Sequence, residues 1–243
     1  MGRRDILTAL MMAAALGACA ELTAEAPLFA VSDQIGPPPL TEGVWIAVGE
    51  DCPAYYARRR TGRFPEGCWP MELRTGEGGA WRMRPRVDLI SNLSAQERAQ
   101  TEADFGPARA IVAPAVENPP VDGYSPLYVA EFDPEAEDHA ISYAVIAPIG
   151  AMPATSAMVI GSIGCADILR DGPIEGVTVQ YEEPTPAREG AALTSSAPDE
   201  RAPPAMSGCI AAAPAAVREA ARRAVIQNLG ELTQVRFVYV RAH

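Results

Sequence analysis

The chain has no lysine; all 20 of its basic residues are arginine. That excludes Schiff-base chemistry, a P-loop and a Ser-Lys nucleophile pair. Histidine is almost as scarce, with only His139 and the C-terminal His243. A multi-histidine metal site is excluded on that count. His139 lies beside several acids and could act as a general base, but no motif pairs it with a nucleophile. Positive charge is short overall: 31 acidic residues give a formal net charge of -11. Such a chain repels nucleic acid, whose binding rests on basic residues neutralising phosphate. No cofactor motif is present. The many acids leave one enzymatic alternative, a carboxylate-only hydrolase of the glycosidase kind, although no motif selects a pair.

Long apolar runs are also missing. The longest stretch without acid or arginine, Ala140 to Ala166, is interrupted by Pro148, Gly150, Pro153, Gly161 and Gly164. It reads as two buried strands turned at Pro148–Pro153 rather than as a membrane helix. Gly161-Ser162-Ile163-Gly164-Cys165 has the wrong order for a nucleophile elbow, and no strand-to-helix step is expected after it.

What is present begins with a leader. Met1 to Asp5 carries Arg3 and Arg4, and Ile6 to Ala18 is uncharged and apolar. Thirteen residues are too few to span a bilayer, so residues 1–18 read as an export signal. Leu16-Gly17-Ala18-Cys19 resembles the lipobox of bacterial lipoproteins. The resemblance implies cleavage before Cys19 and a lipid on its thiol, with fatty acyl chains such as palmitate holding the protein to a membrane. Ala20, where Asp would imply inner-membrane retention, favours the outer membrane by the same resemblance. Arg3-Arg4-Asp5-Ile6-Leu7 is similar to a twin-arginine core, so the twin-arginine and general secretory routes both stand. Removing Arg3, Arg4 and Asp5 makes the remaining charge -12.

Four further cysteines, Cys52, Cys68, Cys165 and Cys209, are an even set for an oxidising compartment. Three pairings are possible. Shortest loops favour Cys52–Cys68 and Cys165–Cys209. No C-x-x-C spacing supports zinc instead.

Residues 19–42 read as the lipidated N-terminus and a Pro-rich spacer, with Gly36-Pro37-Pro38-Pro39 at its end. Residues 43–243 form one domain. Strands are expected at Gly43–Gly49, Trp69–Arg74, Ala80–Ile90, Arg109–Ala113, Leu127–Phe132, Ala140–Ala147, Thr155–Ile163, Gly176–Tyr181 and Thr233–Val240. Ser94-Ala95-Gln96-Glu97 is a capping box opening a surface helix. Asp133 to His139 is an acidic turn that lacks the spaced ligands of a calcium loop. Residues 182–208 are low-complexity and expected to bury little. Pro214 to Leu229 is a helix with Val217, Ala221, Val225 and Leu229 as its apolar stripe, while Arg218, Glu219, Arg222 and Arg223 face away.

The expected fold is α+β and β-rich: a mostly antiparallel barrel or sandwich with a C-terminal helix packed on it and a final strand. Gly43-Val44-Trp45 is similar to the Gly-x-Trp signature that opens lipocalin barrels, which implies a ligand-binding barrel. No later Thr-Asp-Tyr-like motif accompanies it. The layout as a whole looks like uncharacterised bacterial envelope lipoproteins. The concentrated basic segment is Arg58, Arg59, Arg60 and Arg63, with aromatics nearby. It is the candidate contact for an envelope protein or an anionic headgroup or glycan. The functional expectation is a membrane-anchored, periplasm-facing, non-enzymatic binding or accessory module.

Overall fold

The structure is a computed structural model, and it describes residues 20–34, 40–49, 51–53, 62–65, 67–104, 107–115, 127–134, 140–149, 157–182, 205–228 and 235–241. Eleven strands carry the fold. They are β1 (Leu22–Ala24), β2 (Gly43–Val48), β3 (Pro70–Thr75), β4 (Trp81–Pro85), β5 (Ala108–Pro114), β6 (Tyr128–Pro134), β7 (Ile141–Ile149), β8 (Ala157–Ser162), β9 (Val177–Tyr181), β10 (Met206–Ala211) and β11 (Val235–Arg241). Among the described residues, three α-helices accompany them: α1 (Ala95–Asp104), α2 (Cys165–Leu169) and α3 (Pro214–Asn228).

Strands β2 to β8 each pair antiparallel with the next in sequence, and β11 closes the ring between β8 and β2. The result is a closed eight-stranded antiparallel barrel. Closure leaves the eight strands no free edge along their paired lengths. It also gives every strand an inside and an outside. Trp45 stands opposite Tyr239 on β11 and Met71 on β3, so all three share a face. Following the register around the ring puts Leu73, Trp81, Ala110, Tyr128, Ile146 and Met158 on that same inner face, and these residues form one packed cluster with Trp45. The strand expected at Thr233–Val240, whose sequence sets Val235, Phe237 and Tyr239 on one face and Arg236, Val238 and Val240 on the other, forms β11: Phe237 and Tyr239 join the inner cluster, whereas Val240 packs outside with Ile46, Phe64 and the Cys52–Cys68 disulfide.

The largest cluster lies outside the barrel. Strand β7 is longer than its neighbour β8. It pairs with β8 over Ala144–Ile149 and, on the same edge, with β1 at Ile141 and Ser142. Strand β10 runs parallel to β1, and β9 pairs antiparallel with β10. Helix α3 lays Ala216, Val217, Ala220, Ala221 and Ala224 on this wall, all buried with Ile111, Val129 and Val145. The disulfide Cys165–Cys209 ties α2 to β10 inside the same cluster. Both cysteine pairs are those favoured by loop length.

Several expectations need correction. Residues 20–34 are not spacer. Leu22 and Phe29 are buried, and β1 is held between β7 and β10. The reason is Glu131, fully buried on the outer face of β6. Its Oε2 accepts hydrogen bonds from the Leu28 and Phe29 amides at 2.7 and 3.1 Å and from the Tyr143 hydroxyl at 3.0 Å. Phe29 is then clasped edge-on by Tyr143, with the Arg218 guanidinium 5.2 Å above its ring. Burial, then the Glu131 charge, push the Tyr143 hydroxyl far above its ordinary pKa, so it stays protonated and donating. The Pro37–Pro39 run lies outside the described residues.

The strand expected over Ala80–Ile90 stops at Pro85; Val87–Leu89 forms a 3-10 turn instead. Arg86 leaves the extended region there, with ψ 64°. The low-complexity segment ends in strand β10, because Gly208 and Cys209 are buried against β1 and β9. A strand-to-helix step does follow β8, since α2 begins at Cys165. Arg223 does not face away from the fold. Its guanidinium donates to the carbonyls of Ile168, Gly172 and Pro173, and so binds α3 to the end of α2. Arg218 likewise turns inward, over Phe29.

Other expectations hold. Ser94 and Glu97 exchange the two hydrogen bonds of a capping box, at 2.7 and 3.2 Å, at the start of α1. Gly78 and Gly79, at φ 69° and 88°, make the β3–β4 turn, where a side chain would be strained. The Ala140–Ala166 stretch forms β7 and β8 as expected, and no helix among the described residues is long and apolar enough to cross a membrane. The end of the α3 stripe, at Leu229, lies outside the described residues, as do Glu135 to His139 of the acidic turn.

Glu219 on α3 gives a pH test. Hydrogen bonds from Arg222, then from Arg223, hold its carboxyl down to about 2, against 4.5 for the free group. A folded-state pKa below the unfolded one stabilises the fold above the unfolded value, and this contribution fades as pH falls from about 4.5 towards 2. Glu219→Gln should therefore cost about 0.5–1 kcal/mol at pH 7, as a half-exposed helix pair does. The gap between the two proteins in urea midpoint should close by about pH 2. A constant gap across that range would show that the charge is not the source.

Candidate functional site: an arginine face on the barrel wall

Strands β3, β4 and β5 turn an unusual face outward. Their register places Arg74 opposite Arg82, and Arg82 opposite Arg109, with Asp133 of β6 ending the row. Neighbouring strands lie about 4.8 Å apart, so three guanidinium-bearing residues fall within roughly 10 Å. Like charges facing directly across a sheet are destabilising. The next row holds Glu72 opposite Arg84.

Glu72 is the reason this face can form. Its side chain is 1% exposed, and its carboxylate takes Arg74 Nη2 at 2.8 Å, Arg84 Nε at 2.5 Å and Arg86 Nη1 at 3.1 Å. Arg86 also forks onto Asp88 through two hydrogen bonds of 2.8 Å. That fork holds Asp88 below the usual aspartate range. One buried carboxylate thus gathers three guanidinium groups, two of which keep about half their surface in water: 51% for Arg74 and 55% for Arg84. Arg109 reaches Asp133 at 3.7 Å, a loose contact.

The arginines surround a concavity of about 670 Å³ lined by Glu72, Arg74, Arg82, Arg84, Arg109 and the turn residues near Ala80. Thr75 and Glu42 close one rim, the Thr75 amide donating to Glu42 at 2.8 Å. Five arginines stand here against Glu42, Glu72, Asp88 and Asp133, on a chain with a net charge of -11. Guanidinium forks suit carboxylate and phosphate oxygens, so the arrangement can take an oxyanion-bearing partner.

The sequence pointed to a different arginine cluster. Arg58, Arg59 and Arg60 lie outside the described residues. Arg63 is exposed beside buried Phe64, which bridges to Ile90, and it is not in the Arg74–Arg82–Arg109 row. The wall arginines carried one readable signal: Arg82, Arg84 and Arg86 alternate with Met83 and Pro85, as the outer face of a half-buried strand should. Only the pairing with Arg74 and Arg109, which depends on register, turns that alternation into a site.

Two other regions carry less. Trp45, Trp81, Tyr128, Phe132, Phe237 and Tyr239 pack together on the inner face of a barrel whose eight strands leave an interior wide enough for side chains or one small ligand. Trp45 donates Nε1–H to the Thr41 carbonyl at 2.9 Å, while Trp81 Nε1 is buried with no hydrogen-bond partner among the described residues. The two buried carboxylates do not form a catalytic pair. Glu72 is saturated by arginines, and Glu131 lies under the Leu28–Phe29 segment. No group of three or more metal-ligating side chains occurs among the described residues.

Glu72→Gln should leave the three guanidinium groups facing one another without the charge that gathers them. A loss of about 2–3 kcal/mol is expected in urea unfolding, partly recovered by 0.2 M phosphate, which supplies a replacement oxyanion. Equal loss with phosphate and with chloride at matched ionic strength would show that the face has no preference for an oxyanion. Comparison of the chain with protein-family models, with curated proteins and with solved structures yields no match.

Proposed function

We propose that the protein is a lipid-anchored, non-enzymatic binding module of the bacterial envelope, and that it holds an acidic partner on its arginine face. The observation that carries this reading is the cross-strand row Arg74–Arg82–Arg109 around an open concavity. The two disulfides point to an oxidising compartment outside the cytoplasm. The eight-stranded barrel is compatible with a lipocalin-like module. The aromatic packing on the inner face favours contact on the outer wall over a ligand in the lumen.

The anchor sets the direction of display. A lipid on Cys19 sits one residue before Ala20, whose carbonyl accepts the Cys165 amide at 2.7 Å, so the folded part lies flush with the membrane. Strand β1 joins the barrel at β7. In a ring of eight, β3 is four strands from β7 in either direction. Arg74 on β3 therefore lies directly across the ring from β7, with Arg82 three strands and Arg109 two strands from it, so the wall is turned from the β7 side that carries the anchor. This favours an acidic protein segment held off the membrane over the headgroups of the anchoring bilayer.

Two measurements test the two halves of the reading. Intact mass spectrometry of protein expressed in bacteria should give a chain that begins at Cys19 and carries acyl mass, with no thiol reactive before reduction. An unmodified chain retaining residues 1–18 would remove the anchor. For the site, poly-glutamate should bind the purified chain at low salt, and the affinity should fall at least tenfold in the pair Arg82→Glu, Arg109→Glu. Binding to phosphatidylglycerol vesicles but not to poly-glutamate would overturn the outward-facing role. Equal binding by the charge-reversed pair would remove the site.

A further inference from the structure

One sheet in this molecule ends in an open edge. The barrel is closed, but the outer sheet runs β7–β1–β10–β9, and among the described residues nothing pairs with the far side of β9. The hydrogen-bonding pattern of that edge follows from the register. Ala212 N–H donates to the Gly176 carbonyl at 2.8 Å, which marks a hydrogen-bonded pair. Pairs alternate along an antiparallel ladder, so Thr178 and Gln180 spend their backbone groups on β10. The amide and carbonyl groups of Val179 and Tyr181 are left pointing outward. The Val177 amide is taken by the Ile174 carbonyl at 3.1 Å.

Natural sheet edges are usually blunted by lysine, proline, inward charge or a bulge at the rim. Strand β9 reads Val-Thr-Val-Gln-Tyr, with no charge and no proline. Its bulge lies in the partner strand, between Met206 and Gly208. At its end stands Tyr181, 57% exposed, the one large hydrophobic side chain exposed among the described residues. The flanks are acidic: Glu175 before the strand, Glu182 and Glu183 after it.

Those flanks decide between occupants. Antiparallel pairing of β9 with a second copy about Val179 would set Val177 against Tyr181 and bring Glu175 within one position of Glu182 of the other chain. Carboxylate would meet carboxylate at both ends, between two molecules each with a net charge of -11. The geometry points to β9 as a docking edge for an extended segment of another protein, apolar or hydroxylic in its centre and basic at its ends, added as a further strand. Backbone bonds to Val179 and Tyr181 would give affinity, the Tyr181 ring would cover the incoming side chain, and the acidic flanks would select basic ends. This edge is separate from the arginine face and takes a partner of the opposite charge.

The test uses the purified chain and synthetic nonapeptides. The probe is Arg-Arg-Val-Thr-Val-Thr-Val-Arg-Arg, with two controls: the same core with glutamate ends, and the basic peptide with proline at its central valine. The basic probe should slow hydrogen exchange at Val179 and Tyr181, and bind at least tenfold more tightly than either control. In the protein, Val179→Pro removes only an outward amide, so the ladder to β10 survives while probe protection is lost. Should that variant fail to fold, Thr178→Lys puts a charge on the exposed rim and should weaken the basic probe at least fivefold. Equal binding by the proline control would reduce the effect to charge attraction and overturn the edge. So would absence of protection at Val179 and Tyr181. Concentration-dependent self-association that protects the same amides would assign the edge to a second copy instead.

Discussion

The pairing of β11 with both β2 and β8 is the constraint on which the rest depends. It joins residues almost 200 positions apart in sequence, and it converts a meander of strands into a ring. Once the ring closes, each strand must alternate strictly between a filled inner face and an outer one. The inner face takes the aromatics. Every charged residue of β3 to β6 is thereby driven outward, and neighbouring strands bring those charges into register. The arginine face is a by-product of closure as much as of composition. Arg74 and Arg82 face each other across the short β3–β4 hairpin, and Arg109 joins them because β5 pairs with β4.

Burying a carboxylate is costly unless its charge and hydrogen bonds are met. The protein solves that problem in two ways, with opposite consequences. Glu72 is met by guanidinium groups and gathers positive charge at the surface. Glu131 is met by backbone amides and a hydroxyl, and it gathers chain. Its second oxygen, Oε1, has no partner among the described residues. The bonds to Leu28 and Phe29 hold the segment after β1 against the barrel. That segment leads back to Ala20, and so fixes how closely the fold approaches whatever precedes it.

Much of the fold was legible in the sequence because the signals were local. Alternation in Thr233–Val240 named the inner and outer faces of the closing strand. The Ser94–Glu97 box opened α1, and loop length selected both disulfides. What escaped depended on distant partners. Residues 20–34 have few large apolar side chains in a stretch rich in Ala, Pro and Glu, and they read as spacer. Glu131, more than 100 positions away, supplies the acceptor that orders Leu28 and Phe29. Strand β10 was hidden in the same way, since Ser207 and Gly208 have poor strand propensity and are carried by β1 on one side and β9 on the other. The candidate site escaped for a related reason: a run such as Arg58-Arg59-Arg60 is conspicuous in one dimension, whereas a row across three strands is visible only once their register is known.

The two surfaces also explain how so acidic a chain can be selective. Net charge of one sign raises encounter with every oppositely charged molecule and discriminates among none of them. Discrimination needs local departures from the mean. The arginine wall is one departure, positive on a negative body. The β9 edge is another: uncharged and unpaired, between acidic ends. They differ in chemistry as well as in sign. As proposed, the wall would take carboxylate oxygens through guanidinium forks, independent of the partner's backbone. The edge would take backbone, with its acidic flanks selecting the ends of the incoming strand. The wall begins at β3, across the ring from β7, and the edge continues the sheet that starts from β7. A module built this way can engage two partners without either covering the other's site, and the barrel between them keeps the two surfaces at a fixed separation.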